Sequence, residues 1–201
     1  MRTAVACLFV QLAAAQSLPV PFEQDGHWGY KLGRKVVIEP RFAMAQRFSH
    51  EGIAAVVDER GWAYIDRSGQ FVIRPLAVDN GPDYFQEGLA RFTEDGKTGF
   101  FDRRGQVVIP PRYAFAEPFS QGRAAVCEGC REVVEGEHRV LHGGRWGFID
   151  RTGTLVIPLQ FEDAARFERG TARVKLGGAW QYIDRKGDLV RGAAGGLKSP
   201  H

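Results

Sequence analysis

The stretch Trp146-Gly147-Phe148-Ile149-Asp150-Arg151-Thr152-Gly153-Thr154-Leu155-Val156-Ile157-Pro158 decides the fold, because variants of it begin again at Trp28, Trp62, Thr98 and Trp180. Its first four residues carry the aromatic and β-branched side chains that suit a strand. Asp-Arg-x-Gly follows, at Asp66 to Gly69, Asp102 to Gly105, Asp150 to Gly153 and Asp184 to Gly187. Asp at the first position bonds backbone amides across a turn, and Gly at the last accepts a left-handed backbone. Together they suit a short hairpin with a bulge. Lys31-Leu32-Gly33-Arg34 is one residue shorter, so its turn type should differ. An apolar third strand then leads to Pro40, Pro75, Pro110 or Pro158. Proline has no ladder donor and is expected to end that strand.

The unit starts are spaced 34, 36, 48 and 34 residues apart. Six residues before each lies an apolar residue (Phe22, Val56, Phe92, Val140, Val174) in an alternating segment such as Ile53-Ala54-Ala55-Val56-Val57, which reads as a first strand. Between units, an aromatic pair (Phe42 and Phe48, Tyr113 and Phe119, Phe161 and Phe167) and a closing glycine (Gly52, Gly88, Gly122, Gly170) mark an irregular connection. The predicted fold is all-β: five tandem three-stranded antiparallel meander repeats over residues 16–191. Each is too small to bury a core alone, so they stack as a propeller-like ring or an open β-solenoid.

These residues resemble the WG-repeat family, whose units read Trp-Gly-x-Ile-Asp-x-x-Gly-x-x-Val-Ile-Pro and then Phe…Ala…Phe-x-x-Gly-x-Ala-x-Val. The resemblance covers about residues 20 to 190, with departures at Thr98, Ala63 and Gln181. It implies a β-rich repeat protein of bacterial type, often exported or surface-associated, and it brings no catalytic residues with it.

Composition bounds the rest. The chain has 201 residues, 44% apolar and 25% charged, with a net charge of +3, an ordinary globular balance. That charge is too weak to argue for nucleic acid, and no apolar run is long enough for a membrane span. Residues 1–15 read as a signal peptide: Arg2, an apolar stretch from Ala4 to Leu12, then Ala13-Ala14-Ala15 as a small-residue cleavage site. Export to the periplasm or the medium follows from that reading. Residues 192–201 are Gly-rich and without apolar periodicity, the composition of a disordered tail.

The 48-residue spacing holds an insertion of about 14 residues, Cys127-Glu128-Gly129-Cys130 followed by Arg131 to His142, and long departures from a repeat are where function concentrates. In an oxidising compartment Cys127 and Cys130 pair as a local disulfide that pins an inserted hairpin. A zinc site from Cys127, Cys130, His138 and His142 is a sharper alternative. A redox-active pair is a third, against which stands the strand context before Cys127. Glu128, Arg131, Glu135, His138, Arg139 and His142 are the candidate interaction residues of the insertion. Arg67, Arg103, Arg151 and Arg185, each after a turn Asp, are a candidate basic rim able to meet anions, or else solvated turn residues. The tryptophans are core residues or, alternatively, sugar-stacking platforms.

No nucleophile elbow, phosphate loop, zincin helix or dinucleotide fingerprint is present. The expected function is therefore a non-catalytic exported scaffold that takes a protein partner and needs no cofactor. A carbohydrate or cell-envelope polymer binder is the alternative.

Overall fold

A computed structural model describes residues 17–136 and 138–190 of the chain. All regular structure among them is antiparallel β, with no helix. The first sheet is β1 (Val20–Gln24), β2 (His27–Leu32) and β3 (Lys35–Phe42). The second is β4 (Met44–Ala45), β5 (Ile53–Asp58), β6 (Gly61–Asp66) and β7 (Phe71–Ile73). A small hairpin, β8 (Ala77–Val78) and β9 (Gly81–Pro82), leads to the third sheet, β10 (Leu89–Glu94), β11 (Lys97–Asp102) and β12 (Val107–Tyr113). The fourth takes β13 (Phe115–Ala116) and β14 (Ala124–Glu128), and resumes with β17 (Arg145–Ile149) and β18 (Leu155–Phe161). Between them β15 (Arg131–Glu135) and β16 (His138–His142) pair only with each other. The last sheet is β19 (Asp163–Ala164), β20 (Thr171–Leu176) and β21 (Ala179–Asp184).

The connections are more regular than the sequence suggests. Their short strands β4, β13 and β19 pair with the first long strand of the next sheet. In the fourth sheet that strand is β14, so Val126 and not Val140 fills the first-strand position. Val140 lies opposite Val133 in the inserted hairpin.

The turns follow from Asp and Gly. The Asp66 amide donates to the Gln70 carbonyl and the Gly69 amide to the Asp66 carbonyl, both at 2.9 Å. Oδ1 of Asp66 accepts from the amides of Ser68 and Gln70 at 2.8 and 3.0 Å. Asp102, Asp150 and Asp184 repeat this pattern. In Asp150 the Thr152 hydroxyl, followed by these amides, holds the carboxyl below its usual range. The shorter first turn closes instead through Leu32 opposite Lys35, around Gly33 at φ +60°.

The third strand ends ahead of its proline only in the second sheet, where β7 stops before Pro75. β3, β12 and β18 run through Pro40, Pro110-Pro111 and Pro158 to the next aromatic residue. The prolines sit in a bulge: Tyr30 pairs with Ile38, but Trp28 pairs with Phe42, and β12 and β18 shift register in the same way. A bulge leaves residues outside the ladder, so the missing donor costs nothing there. The bulged strand lies directly over the glycine in the second place of the unit. A Cβ at Gly29, Gly99 or Gly147 would stand 2.5, 2.6 or 2.6 Å from the carbonyl oxygen of Ile38, Ile109 or Ile157. The second sheet has Ala63 at that place, and its third strand stops after three residues. Arg74 then occupies the vacated edge of β6, with Nη1 donating to the carbonyls of Gly61 and Trp62 at 3.2 and 2.9 Å.

Buried side chains gather in four cores, and each joins two consecutive sheets. Strand alternation produces this. Ala54 and Val56 of β5 face the first sheet, whereas Ile53 and Ala55 face the third. Ala124 and Val126 face backward while Ala125 and Cys127 face forward. Burial on both faces explains the unbroken apolar runs in these strands. In the first, third and fourth units the third residue points forward and is covered by the phenylalanine of the next connection. Tyr30–Phe48, Phe100–Phe119 and Phe148–Phe167 have ring centroids 4.8, 4.8 and 4.9 Å apart. Each such ring contributes about 1.5–3 kcal/mol by burial. Polar ties run along the array as well. Arg41 donates to the Gly69 carbonyl at 2.7 Å, Arg112 to that of Gly153, and the Ser120 hydroxyl to that of Phe167 at 2.6 Å.

Candidate functional site

The insertion is a projecting hairpin with a rigid base. Arg131 pairs with His142, Val133 with Val140, and Glu135 with His138. The sulfurs of Cys127 and Cys130 are joined as a disulfide, with Cα atoms 6.0 Å apart. This fits the expected local disulfide; in this bonded state neither sulfur is a thiolate. Both cysteines are buried in the core that also holds Trp146 and Phe148, so the bridge anchors the root of the hairpin to the fourth and fifth sheets. Gly144, at φ +73°, passes so close that a Cβ would stand 2.5 Å from the Cys130 nitrogen and the Glu128 carbonyl oxygen, and 2.7 Å from Cys127 Sγ. Gly144 is therefore required because the returning chain crosses the disulfide, while Gly143 before it has open space and a φ of +70°.

Beyond that root the hairpin is open to solvent. Every residue from Arg131 to Gly136 is exposed, and Val134 is 67% exposed. Among the described residues of the hairpin, Leu141 packs back against the core. Glu135 and His142 form an exposed ion pair at 2.7 Å when the imidazole is protonated, and Glu128 is exposed beside the disulfide. The side chains of His138 and Arg139 lie outside the described residues, as do the leader 1–15 and the tail 192–201.

The four arginines of the candidate rim occupy corresponding turns and are all exposed. Three pack on neighbouring loops. Arg67 lies against Gly52, Arg103 stacks 5.1 Å from the Phe85 ring centre, and Arg151 approaches Gly88. Of the tryptophans, Trp146 is buried, Trp28 and Trp62 are half-buried beside their cores, and Trp180 is 44% exposed. One indole, not a row of them, is open to solvent.

Two polar features escape the sequence reading. Asp83 and Arg91 form a buried ion pair at 2.8 Å. Asp83 Oδ2 also accepts from the Arg91 amide at 2.7 Å, and Arg91 Nη1 donates to the Ala116 carbonyl at 3.0 Å. The pair thereby ties β9 and β10 to the fourth sheet. Arg91 stands where Ala55 and Ala125 stand in the flanking sheets, a charge in a small-residue column. Glu117 follows Ala116, and burial pushes its carboxyl above the usual range, against the opposing pull of Arg91 and Arg166. The second feature is an open cavity of about 370 Å³ between the first two sheets, with Arg41 and Arg60 above Phe42, Ala63 and Phe71. It adjoins the edge that the short β7 leaves unpaired.

No helix among the described residues is long and apolar enough to cross a membrane.

The fold and the site together define a tandem β-repeat protein whose sheets share cores pairwise and whose period is broken by one disulfide-rooted hairpin. The family model of the WG containing repeat matches residues 33–59, 62–97, 99–129 and 146–180, more than half of the chain, and the chain belongs to this family. Each matched segment runs from the second half of one sheet into the first long strand of the next. The family unit therefore coincides with a seam and its core. No curated protein matches the chain.

Proposed function

We propose that this protein is a non-catalytic, exported binding scaffold: an open stack of five meander units that presents the hairpin 131–142 to a protein partner. The observation that carries the reading is the hairpin itself. It pairs with no other strand, exposes Val133 and Val134, and is fixed to the core by its disulfide. A rigid root presents a binding strand at low ordering cost, and an exposed strand edge is a template for a partner's strand. The disulfide supports export, because such bonds persist in oxidising compartments. The open stack is supported by the four cores, none of which combines the first and fifth sheets.

The test is capture of envelope proteins by the mature chain and by a variant with Arg131, Val133, Val134 and Glu135 changed to Ala. The variant should keep the wild-type circular dichroism and melting point and lose at least ten-fold in capture of the partner. Equal capture would show that the hairpin is not the binding face.

A further inference from the structure

We infer that the open cavity between the first two sheets is a binding site for a small apolar monocarboxylate, with a branched body of about leucine's size. The cavity stands where another seam holds a leucine. In the fourth sheet Leu159 comes two residues after Ile157, which pairs with Phe148, and it packs against the core that holds Tyr113 and Ile149. The corresponding residues of the first seam are Phe42 and Ile65, and both line the cavity together with Ala63, Gly69 and Phe71. The residue in the register of Leu159 in the second sheet is Pro75, two after Ile73, which pairs with Tyr64. The chain turns away at Arg74, however. Pro75 bridges to Phe92 of the third sheet, and the Leu76 amide donates to the Arg91 carbonyl at 2.9 Å. The lost half of the strand thereby leaves an apolar socket of about 370 Å³, the scale of small-ligand sites.

The rim decides the sign of the ligand. Arg74 pairs with Asp58 at 2.7 Å through Nη2, and its Nη1 caps the edge of β6. That cap takes the Gly61 and Trp62 carbonyls, which an added peptide strand would need, and so favours a small molecule over a strand. Arg41 is held by its bond to the Gly69 carbonyl and by stacking 5.0 Å from the Phe42 ring centre, which orients its guanidinium before any ligand arrives. Arg60 is exposed, and its described hydrogen bond is made by its backbone amide, to Asp58 Oδ1 at 2.8 Å. That leaves the Arg60 guanidinium for a ligand. Arg41, Arg60 and Arg74 stand against Asp58 and Glu59, so one added negative charge balances the rim. An apolar acid places its body in the socket and its carboxylate against Arg60 and Arg41.

Titration of the protein with N-acetyl-L-leucine, followed by its amide and methyl resonances, tests this. The shifts should saturate and centre on Ala63, Ile65 and Gly69. The uncharged N-acetyl-L-leucinamide should bind about ten-fold more weakly, for want of the carboxylate. N-acetylglycine should also bind about ten-fold more weakly, for want of the apolar body. Arg60→Gln should lower the affinity for the acid to about that for the amide, leave the amide unaffected, and keep the circular dichroism of the wild type. Glu59→Gln, at a second exposed turn residue, should raise the affinity for the acid about two-fold, and it carries the test if Arg60→Gln misfolds. Equal affinity for acid and amide, shifts confined to residues away from the cavity, or no saturable binding would overturn the site. None of these results bears on the hairpin, whose capture assay stands independently.

Discussion

Gly147→Ala is expected to cost about 3 kcal/mol or more in urea unfolding, at the upper end of overpacking penalties. The added Cβ would meet the Ile157 carbonyl oxygen at 2.6 Å and that of Pro158 at 2.8 Å. Both neighbours are backbone, so no rotamer change relieves them, and the bulge of β18 has to lift off β17. Lifting it exposes Phe161, which pairs opposite Trp146 and is buried in the core between the last two sheets. The reciprocal change, Ala63→Gly, should alter stability by no more than about 1 kcal/mol, the ordinary entropic cost of a glycine, because no bulged strand passes over Ala63. If Gly147→Ala proved as mild as Ala63→Gly, the crossing strand would not be the reason for the glycine.

Arg91→Ala should destabilise the protein by about 3–5 kcal/mol, the range for leaving one member of a buried pair alone. Asp83 is 3% exposed, and its two oxygens take three donors from Arg91. Removal of the guanidinium leaves the carboxylate with the Arg91 amide as its remaining partner. It also orphans the Ala116 carbonyl, which lies in the next sheet. The double change Asp83→Leu with Arg91→Met should recover most of the loss, since apolar replacements of buried pairs are often neutral or better. A thermal scan of the three proteins checks both statements. Near-wild-type stability for Arg91→Ala would mean that water reaches the pair.

Much of the fold is legible in the sequence because the repeat states each rule several times. Asp and Gly mark turns at Asp66 to Gly69 and its three echoes, and their amide-binding geometry is local, so it follows from residue type alone. The insertion is legible for the same reason, as a lapse in period. The cysteines gave away its root because the spacing of Cys127 and Cys130 allows a local disulfide in an exported chain.

Properties that depend on the neighbouring strand or sheet were not legible. The glycine in the second place of the unit sits in a strand with no reason visible in its own sequence, and it is needed because β3, β12 and β18 cross over Gly29, Gly99 and Gly147 at a bulge. The same bulge reverses the expectation for Pro40, Pro110 and Pro158, which sit inside longer strands. Ala63 is a small change in sequence and a large one in space, because it coincides with the loss of half a strand and the entry of Arg74 in its place. Arg91 could have been noticed as a charge in an alanine column. Its partner Asp83 lies in the one connection that lacks the aromatic pair, so nothing in the period points to it. Val140 was misplaced by counting back from Trp146 through the insertion.

The seams also explain why function is hard to read from the columns. Most of the repeated aromatics are committed to a core: Tyr30, Phe100 and Phe148 are at most 1% exposed, whereas Trp180 of the last unit is 44% exposed. What the period does not use is the hairpin 131–142.

The central claim is an open stack of sheets joined pairwise. The most direct measurement is the distance between spin labels at Val36 and Leu189, with Cys7 replaced by Ser. These residues hold equivalent places opposite Lys31 and Ile183 in the first and last sheets, and both are exposed. Sheets stack about 10 Å apart, so four steps predict a separation of about 30–40 Å, shortened somewhat by twist. A separation of about 10 Å, a single step, would mean that the first and last sheets are neighbours in a closed ring, and would contradict the account.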